Sequence, residues 1–217
     1  MDAVVTAGGR ISGEFAKQTG VTVKALLEVG GRRVITTVVD ALRGTPGVER
    51  IFVVGPEDVL RPVIGDCVEE IIPEALDGAT NFLMGLERCS GSRAVFAASD
   101  MPFIDSQAIS SFLEMCPGQA DFCYPILRKE SYQAAYPGVP STFAPLKDGN
   151  YTGGCAFLLN PEAILANRQT ITRVFESRKS VFKLASILGW TFCVRLLTRT
   201  ASVDMCAKRG SQLICLI

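Results

Sequence analysis

Histidine is absent from this chain of 217 residues. Its absence excludes histidine acid–base catalysis, Ser-His-Asp triads and zinc sites that use imidazole ligands. Any bound metal must therefore rest on carboxylates or thiols. The eight cysteines include no C-x-x-C pair, so we expect buried, reduced thiols rather than a disulfide framework.

The chain also lacks a net charge and a long apolar run. Its 22 basic and 22 acidic residues balance to +0, which does not favour a nucleic acid or an anionic membrane as the main partner. No apolar run approaches the ~18 residues of a membrane span. The opening MDAVVTAGG lacks the basic region and apolar core of a signal peptide. We therefore expect a cytoplasmic protein with no nucleic-acid partner and no membrane partner.

Two common phosphate-binding motifs are missing, yet the amino terminus has the character of a phosphate loop. There is no G-x-x-x-x-G-K-[ST] and no G-x-G-x-x-G. Instead the apolar run Ala3-Val4-Val5 ends at Thr6-Ala7-Gly8-Gly9-Arg10, and Lys24 follows after a polar loop. Adjacent glycines let a backbone approach a ligand closely, and the N–H groups together with Arg and Lys can cradle a polyphosphate.

Apolar runs and helical patterns alternate along the first 126 residues. This βαβ rhythm predicts a three-layer α/β/α fold with a mostly parallel sheet. From Leu127 to Tyr151 the rhythm breaks into proline, glycine and charge, and we expect one domain over 1–217 with an irregular insertion at about 127–151. The predicted strands are Ala3–Val5, Arg50–Val54, Val68–Ile72, Ala94–Ala98, Asp121–Ile126, Thr191–Leu197 and Leu213–Ile217, with a further strand between the turn at Gly153-Gly154 and a helix that starts near Pro161.

Polar residues follow three of these strands. Thr6–Arg10, Asp77–Asn81 and Asp100 all lie beyond predicted carboxyl ends. Ligands of open parallel sheets bind at that edge, so we expect the three segments to converge on one site.

The chain resembles the MobA-like nucleotidyltransferases in two places: the segment A-G-G-R with its later lysine, and Asp100-Met101-Pro102. The signature of that family reads roughly L-A-G-G-x-S-x-R-M-G-x-x-K. Ala7, Gly8, Gly9 and Lys24 match it. Thr6 replaces the leucine, the internal R-M-G is missing, and the loop before the lysine is longer. The resemblance implies the nucleotide-diphospho-sugar transferase type of Rossmann-like fold. It also implies transfer of a nucleoside monophosphate from an NTP to a phosphorylated small molecule, with release of pyrophosphate.

The resemblance further implies roles for particular residues. Mg²⁺, with Mn²⁺ as an alternative, would bind Asp100 and Asp204, and the long insertion would line the acceptor. Asp77 resembles a residue that contacts guanine, which suggests GTP, although the residues themselves leave the base open. Asp77 and Asn81 are equally suited to capping a helix. The apolar carboxyl terminus is compatible with a homodimer. The implied catalytic residues are Lys24, Arg10 and Asp100, and the implied nucleotide-binding residues are Thr6, Ala7, Gly8, Gly9, Arg10, Lys24, Asp77 and Asn81.

Two other functions fit the same pattern. A nucleotide-sugar-dependent glycosyltransferase would share the architecture, but it usually places D-x-D after the strand, and Pro102 stands where the second carboxylate would be. A non-catalytic nucleotide-binding module is compatible with the altered signature loop.

Overall fold

The computed structural model describes residues 1–177 and 186–214, and the chain divides into two compact units. The first unit comprises Met1–Cys123 and Cys155–Ala166, and the second comprises Tyr124–Gly154 and Asn167–Ile217. The predicted insertion at about 127–151 falls within the first segment of the second unit. The assignment of one domain over 1–217 stays a prediction.

A six-stranded sheet forms the centre of the first unit. From one edge of the sheet to the other, its strands are β5 (Glu70–Pro73), β4 (Arg50–Gly55), β1 (Asp2–Thr6), β6 (Ala94–Ala98), β11 (Ala156–Leu159) and β7 (Phe122–Cys123). Neighbours among the first four are parallel, and β11 runs antiparallel to both β6 and β7. The predicted mostly parallel sheet is thus confirmed.

Helices cover both faces of this sheet. The helices of this unit are α1 (Gly13–Thr19), α2 (Val34–Arg43), α3 (Glu57–Ile64), α4 (Gly78–Leu86), α5 (Ser106–Met115) and α7 (Pro161–Ala166). Helix α1 has no buried residue and does not contribute to this cover. A short hairpin, β2 (Glu28–Val29) and β3 (Arg32–Arg33), precedes α2, and single 3₁₀ turns occupy Lys24–Leu26 and Gly65–Cys67.

Alternation along β1 explains the two packed layers. Ala3, Val5 and Ala7 belong to one buried cluster with side chains of α2, α3 and α5. Val4 points to the other face, where α4 crosses so closely that a Cβ added at Gly85 would lie 2.3 Å from Val4 Cγ1. Because both faces of β1 are buried at its centre, the central residues Ala3, Val4 and Val5 are all apolar.

The second unit combines a small antiparallel sheet with helices. The sheet has the order β8 (Ile126–Arg128), β10 (Gly149–Gly153) and β9 (Ala144–Leu146), and α6 (Lys129–Ala135) follows β8. The remaining described helices are α8 (Arg168–Ser177), α9 (Trp190–Leu197) and α10 (Val203–Ile214). Asp148 connects the two segments of the unit, because its carboxylate accepts a 3.0 Å hydrogen bond from Val203 N at the start of α10.

Three strand predictions need correction. Thr191–Leu197 is helical and lies within α9. Leu213 and Ile214 end α10, and the rest of the predicted strand, 215–217, lies outside the described residues. The predicted strand Asp121–Ile126 is divided between β7 and β8, which belong to different sheets. None of the described helices has the length and apolarity that crossing a bilayer requires.

Candidate functional site

The loop after β1 brings Lys24 beside the glycine pair despite the long connection. Lys24 N donates to Gly9 O at 2.8 Å, and Arg10 and Val23 form an isolated antiparallel bridge. Helix α1 lies between these two paired segments and has no buried residue. The paired backbone therefore closes the loop at its base, and the extra length projects as an exposed helix.

Lys24 forms an ion pair with Asp100, the second residue after β6. Lys24 Nζ donates to Asp100 Oδ2 at 2.6 Å, and the side chains are 46% and 36% exposed, respectively. Strands β1 and β6 are adjacent and parallel, with Thr6 opposite Ala98, so the two loops emerge side by side. The predicted convergence of these two segments is present in the structure.

The second cation of the loop, Arg10, is held by a residue that sequence reasoning missed. Its guanidinium forms an ion pair with the Glu74 carboxylate and donates to Gly8 O at 2.7 Å. Glu74 directly follows β5, at the same edge of the sheet as Asp100. Its position directly after a strand could have identified it from the sequence, as for Asp100. The residues considered after that strand were Asp77–Asn81, which lie further along the chain.

Gly8 makes room for Glu74. A Cβ added at Gly8 would lie 2.1 Å from Glu74 Oε2. No side chain at this position is compatible with the carboxylate where it stands. An alanine at this position would therefore require the Glu74 carboxylate to move from its place beside Arg10.

Asp77 caps α4 in the structure. Its carboxylate accepts hydrogen bonds from Thr80 Oγ1 at 2.6 Å and Thr80 N at 2.9 Å. The hydroxyl bond is the main cause, and the backbone bond a further cause, of a lowered Asp77 pKa. Both bonds stabilise the charged form of an exposed carboxylate at a helix amino terminus.

Asn81 is buried and anchors the loop between β5 and α4. Its Oδ1 accepts from Ala75 N at 2.6 Å, and its Nδ2 donates to Ala75 O at 3.3 Å. Both ends of the amide are thus engaged by the backbone of the residue next to Glu74. Contact between Asn81 and a nucleobase stays a prediction, whereas its support of the loop is directly visible.

Cys155 lies at the same edge, because β11 enters the sheet beside the end of β6. Its backbone oxygen accepts from Ala98 N at 2.9 Å. Burial raises the pKa of the thiol, the nearby Asp100 carboxylate raises it further, and Lys24 opposes both effects. These surroundings therefore favour the neutral form of the thiol.

The predicted metal ligands belong to different units. Asp100 is in the first unit, and Asp204 is an exposed residue in the first turn of α10 in the second. Within the part of the chain that the structure describes, no three His, Cys, Asp or Glu residues form a metal-binding cluster. A single accessible carboxylate nevertheless fits Mg²⁺, which is commonly held by one or two carboxylates together with substrate phosphates and water.

Comparisons with known proteins identify the family and the fold of the chain. The family description "MobA-like NTP transferase domain" matches residues 3–176. A hypothetical transferase structure from Thermus thermophilus is 28% identical, with a TM-score of 0.88, and the match covers 99% of this chain and 89% of that one. No curated protein matches the sequence.

Two more distant structures share the fold alone. A CMP:2-keto-3-deoxy-manno-octonic acid synthetase complexed with CTP is 16% identical, with a TM-score of 0.58 over 84% of this chain and 83% of that one. An inositol-1-phosphate CTP transferase from T. maritima is 17% identical, with a TM-score of 0.56 over 75% of this chain and 71% of that one.

Proposed function

Because this chain belongs to the MobA-like NTP transferase family, we propose that it is a Mg²⁺-dependent nucleotidyltransferase. An oxygen of a phosphorylated acceptor attacks the α-phosphorus of an NTP. The new O–P bond forms as the bond between the α-phosphorus and the bridging oxygen breaks, and pyrophosphate leaves. Such a reaction depends mainly on positioning and on neutralising charge, for which a chain without histidine is sufficient.

The observation that carries the proposal is the Lys24–Asp100 pair at the carboxyl edge of the sheet. In the free protein each charge is satisfied by the other. A nucleotide with its metal would offer both residues a better partner: Lys24 would bind phosphate oxygens, and Asp100 would hold the cation. Without substrate, Lys24 Nζ and Asp100 Oδ2 are 2.6 Å apart, and substrate binding would separate them.

Arg10 and Glu74 form a second pair of the same kind. The four side chains carry two positive and two negative charges, so together they have no net charge. Two unit charges 4 Å apart near a protein surface interact by about 4 kcal/mol. Phosphates approaching Arg10 must compete with Glu74 for it, which makes Glu74 a determinant of nucleotide affinity.

Asp100 would hold the divalent cation, either Mg²⁺ or Mn²⁺, with Asp204 as the second predicted ligand. When bound, the cation supplies positive charge at the phosphates of the nucleotide. Thr6, Ala7, Gly8 and Gly9 bind the nucleotide through their backbone, and Lys24 and Arg10 stabilise the charge of the departing pyrophosphate.

GTP is the nucleotide to test first, since Asp77 resembles a guanine-contacting residue of the family. The acceptor is a small molecule that carries a phosphate. In this arrangement Asp77 combines two tasks, because its carboxylate also caps α4 through Thr80. Asn81 acts mainly by fixing Ala75, and thereby the loop that carries Glu74.

Nucleotide binding is tested by thermal unfolding with ATP, GTP, CTP or UTP, with Mg²⁺ and with EDTA. Ligand at ~100 times its dissociation constant stabilises the folded state by about 2.7 kcal/mol. For a chain of this size we expect a shift of roughly 5–10 °C with one nucleotide. Lys24→Met should remove the shift, and Lys17→Met, in the exposed helix α1, should keep it.

Turnover distinguishes the proposal from its two rivals. Release of pyrophosphate, dependent on a phosphorylated acceptor, supports nucleotidyl transfer. Release of a nucleoside diphosphate from a nucleotide sugar indicates a glycosyltransferase instead. Nucleotide binding without pyrophosphate release across a broad acceptor panel indicates a binding module.

A further inference from the structure

The neutral charge of the whole chain conceals a strong asymmetry. Residues 167–217 contain nine basic and two acidic side chains, a net charge of +7. The preceding 166 residues contain 13 basic and 20 acidic side chains, a net charge of −7. An asymmetry of this size between parts of a chain points to an anionic partner for the basic part.

Helix α9, in this basic part, carries an apolar ridge. Trp190, Val194 and Leu197 are 66%, 53% and 80% exposed, respectively. Their spacing of i, i+4 and i+7 places them on one face of the helix. The opposite side, with Phe192 and Leu196, is partly buried. Large apolar side chains aligned along one exposed face indicate an interaction surface rather than scattered surface residues.

A cationic groove runs between α9 and α10. It has a volume of about 350 Å³, and Arg195, Lys208 and Arg209 line it. Arg209 is anchored by Leu188 O at 2.7 Å. The Arg195 guanidinium contacts the weakly accepting Met205 Sδ at 3.7 Å. Within 1–177 and 186–214, no carboxylate forms an ion pair with Arg195 or Lys208. Their charges are thus available to an external anion.

We propose that the apolar ridge and the cationic groove together dock the protein on an anionic membrane surface. Lipid phosphates would enter the groove, and Trp190, Val194 and Leu197 would insert at the boundary between headgroups and acyl chains. A short helix with tryptophan, aliphatic residues and flanking cations is typical of interfacial binding. Since none of the described helices is long enough to cross a bilayer, this is attachment to one surface.

Other occupants fit the surface less well. A symmetric dimer formed through the ridge would bring the cationic grooves of two basic segments together without compensating charge. A nucleic acid would satisfy the groove, but the aliphatic Val194 and Leu197 offer it neither stacking nor hydrogen bonds. A small soluble ligand has no enclosure on a convex ridge.

Trp190 is the single tryptophan of the chain, so its fluorescence reports directly on the ridge. We would titrate the full-length protein with vesicles of phosphatidylcholine alone or with 30% phosphatidylglycerol, and measure emission together with co-sedimentation. The expected result is a blue shift and co-sedimentation with the anionic vesicles only, both weakened as ionic strength rises. Bromine-labelled acyl chains should quench the emission.

Charge and ridge variants test the two parts of the surface separately. Each basic residue near an anionic surface contributes roughly fivefold to affinity, so Arg195→Glu with Lys208→Glu should weaken binding at least about 100-fold. Leu197→Gln should weaken it several-fold at unchanged charge. Arg43→Glu and the exposed Met115→Gln, both in the first unit, are the matched controls and should bind as wild type. Circular dichroism confirms that each variant is folded.

Three outcomes would overturn the proposal. One is the absence of binding to anionic vesicles at low salt. Another is binding that Leu197→Gln leaves unchanged and that heparin reproduces with the same affinity, which indicates a general polyanion site. The last is a dimer, by light scattering, that Leu197→Gln dissociates, which means that a second copy covers the ridge.

Discussion

Replacing Asp100 by Asn should separate activity from stability. The Lys24–Asp100 pair is about half exposed, and ion pairs at such positions contribute about 0–1 kcal/mol to folding. We therefore expect the free energy of unfolding to change by less than about 1 kcal/mol, or roughly 2–4 °C in melting temperature. Asn preserves the shape of the side chain and removes only its charge.

The effect on turnover should be far larger. A carboxylate about 4 Å from a unit positive charge in a partly shielded site contributes about 4 kcal/mol, which corresponds to roughly a 1,000-fold change in kcat/KM. The assay is pyrophosphate release at several Mg²⁺ concentrations, and the variant should also lose the Mg²⁺-dependent part of nucleotide binding. Asp105→Ala is the matched control: it removes the cap of α5 at Ala108 N and should lower stability by about 1 kcal/mol with little loss of activity.

The reasoning about Asp100 fails on either of two results. Activity within tenfold of wild type would mean that Asp100 does not serve the reaction. A loss of more than about 2 kcal/mol in stability would exceed the range for exposed ion pairs and would mean that the pair is a structural one.

Three further changes test the surroundings of the site. Gly8→Ala should displace Glu74, whose Oε2 would be 2.1 Å from the new Cβ, and should change nucleotide affinity at least about tenfold with little effect on melting temperature. Gly85→Ala should lower the free energy of unfolding, measured in urea, by about 2 kcal/mol. A Cβ 2.3 Å from Val4 Cγ1 would overpack the core at a cost of about 3 kcal/mol, and the higher helix propensity of alanine would offset about 1 kcal/mol of that cost. Asp77→Ala should be less stable than wild type at pH 7, and this difference in unfolding free energy should shrink as acid protonates the carboxylate. The pKa of Asp77 is lower in the folded protein than the unfolded value of 3.8. The stabilisation by its charge is therefore complete above 3.8 and is lost as the pH falls through the pKa of the folded protein. Equal differences at pH 7 and at pH 2.5 would refute the last expectation.

The sheet could be predicted because its signal is local. Val4 and Val5 lie in a run that is apolar on both faces, and a Gly-Gly turn ends it, so strand type and strand end are both encoded within a few residues. The same holds for Ile51–Val54 and Ala94–Ala98. Since parallel strands end at one edge, the meeting of Lys24 with Asp100 follows from topology once these strands are recognised.

Helix α9 could not be predicted in the same way. The segment Thr191–Leu197 is rich in β-branched and aromatic residues, and Arg195 is its single charged residue, which is typical of a buried strand. In the structure its apolar residues have two separate environments: Phe192 is partly buried, and Val194 and Leu197 belong to the exposed ridge. Exposure of an apolar face is decided by tertiary structure, so a pattern of residue types does not reveal it.

Glu74 was missed for a related reason. Its importance depends on Gly8, 66 positions earlier, having no side chain, and on Asn81 fixing the backbone of Ala75. Each residue alone has an ordinary local explanation: a glycine permits a turn, and an asparagine caps a helix. Only their spatial combination directs the carboxylate to Arg10.

The connection between Gly9 and Lys24 shows why a motif with altered spacing still places its residues. The bridge between Arg10 and Val23, with the bond from Lys24 N to Gly9 O, fixes the base of the loop independently of what lies between. Helix α1 buries none of its side chains, so inserted residues there cost the fold little. The position of Lys24 is thus set by backbone pairing across the loop and not by the number of residues within it. The missing R-M-G changes which side chains line the loop, while Lys24 still forms its ion pair with Asp100.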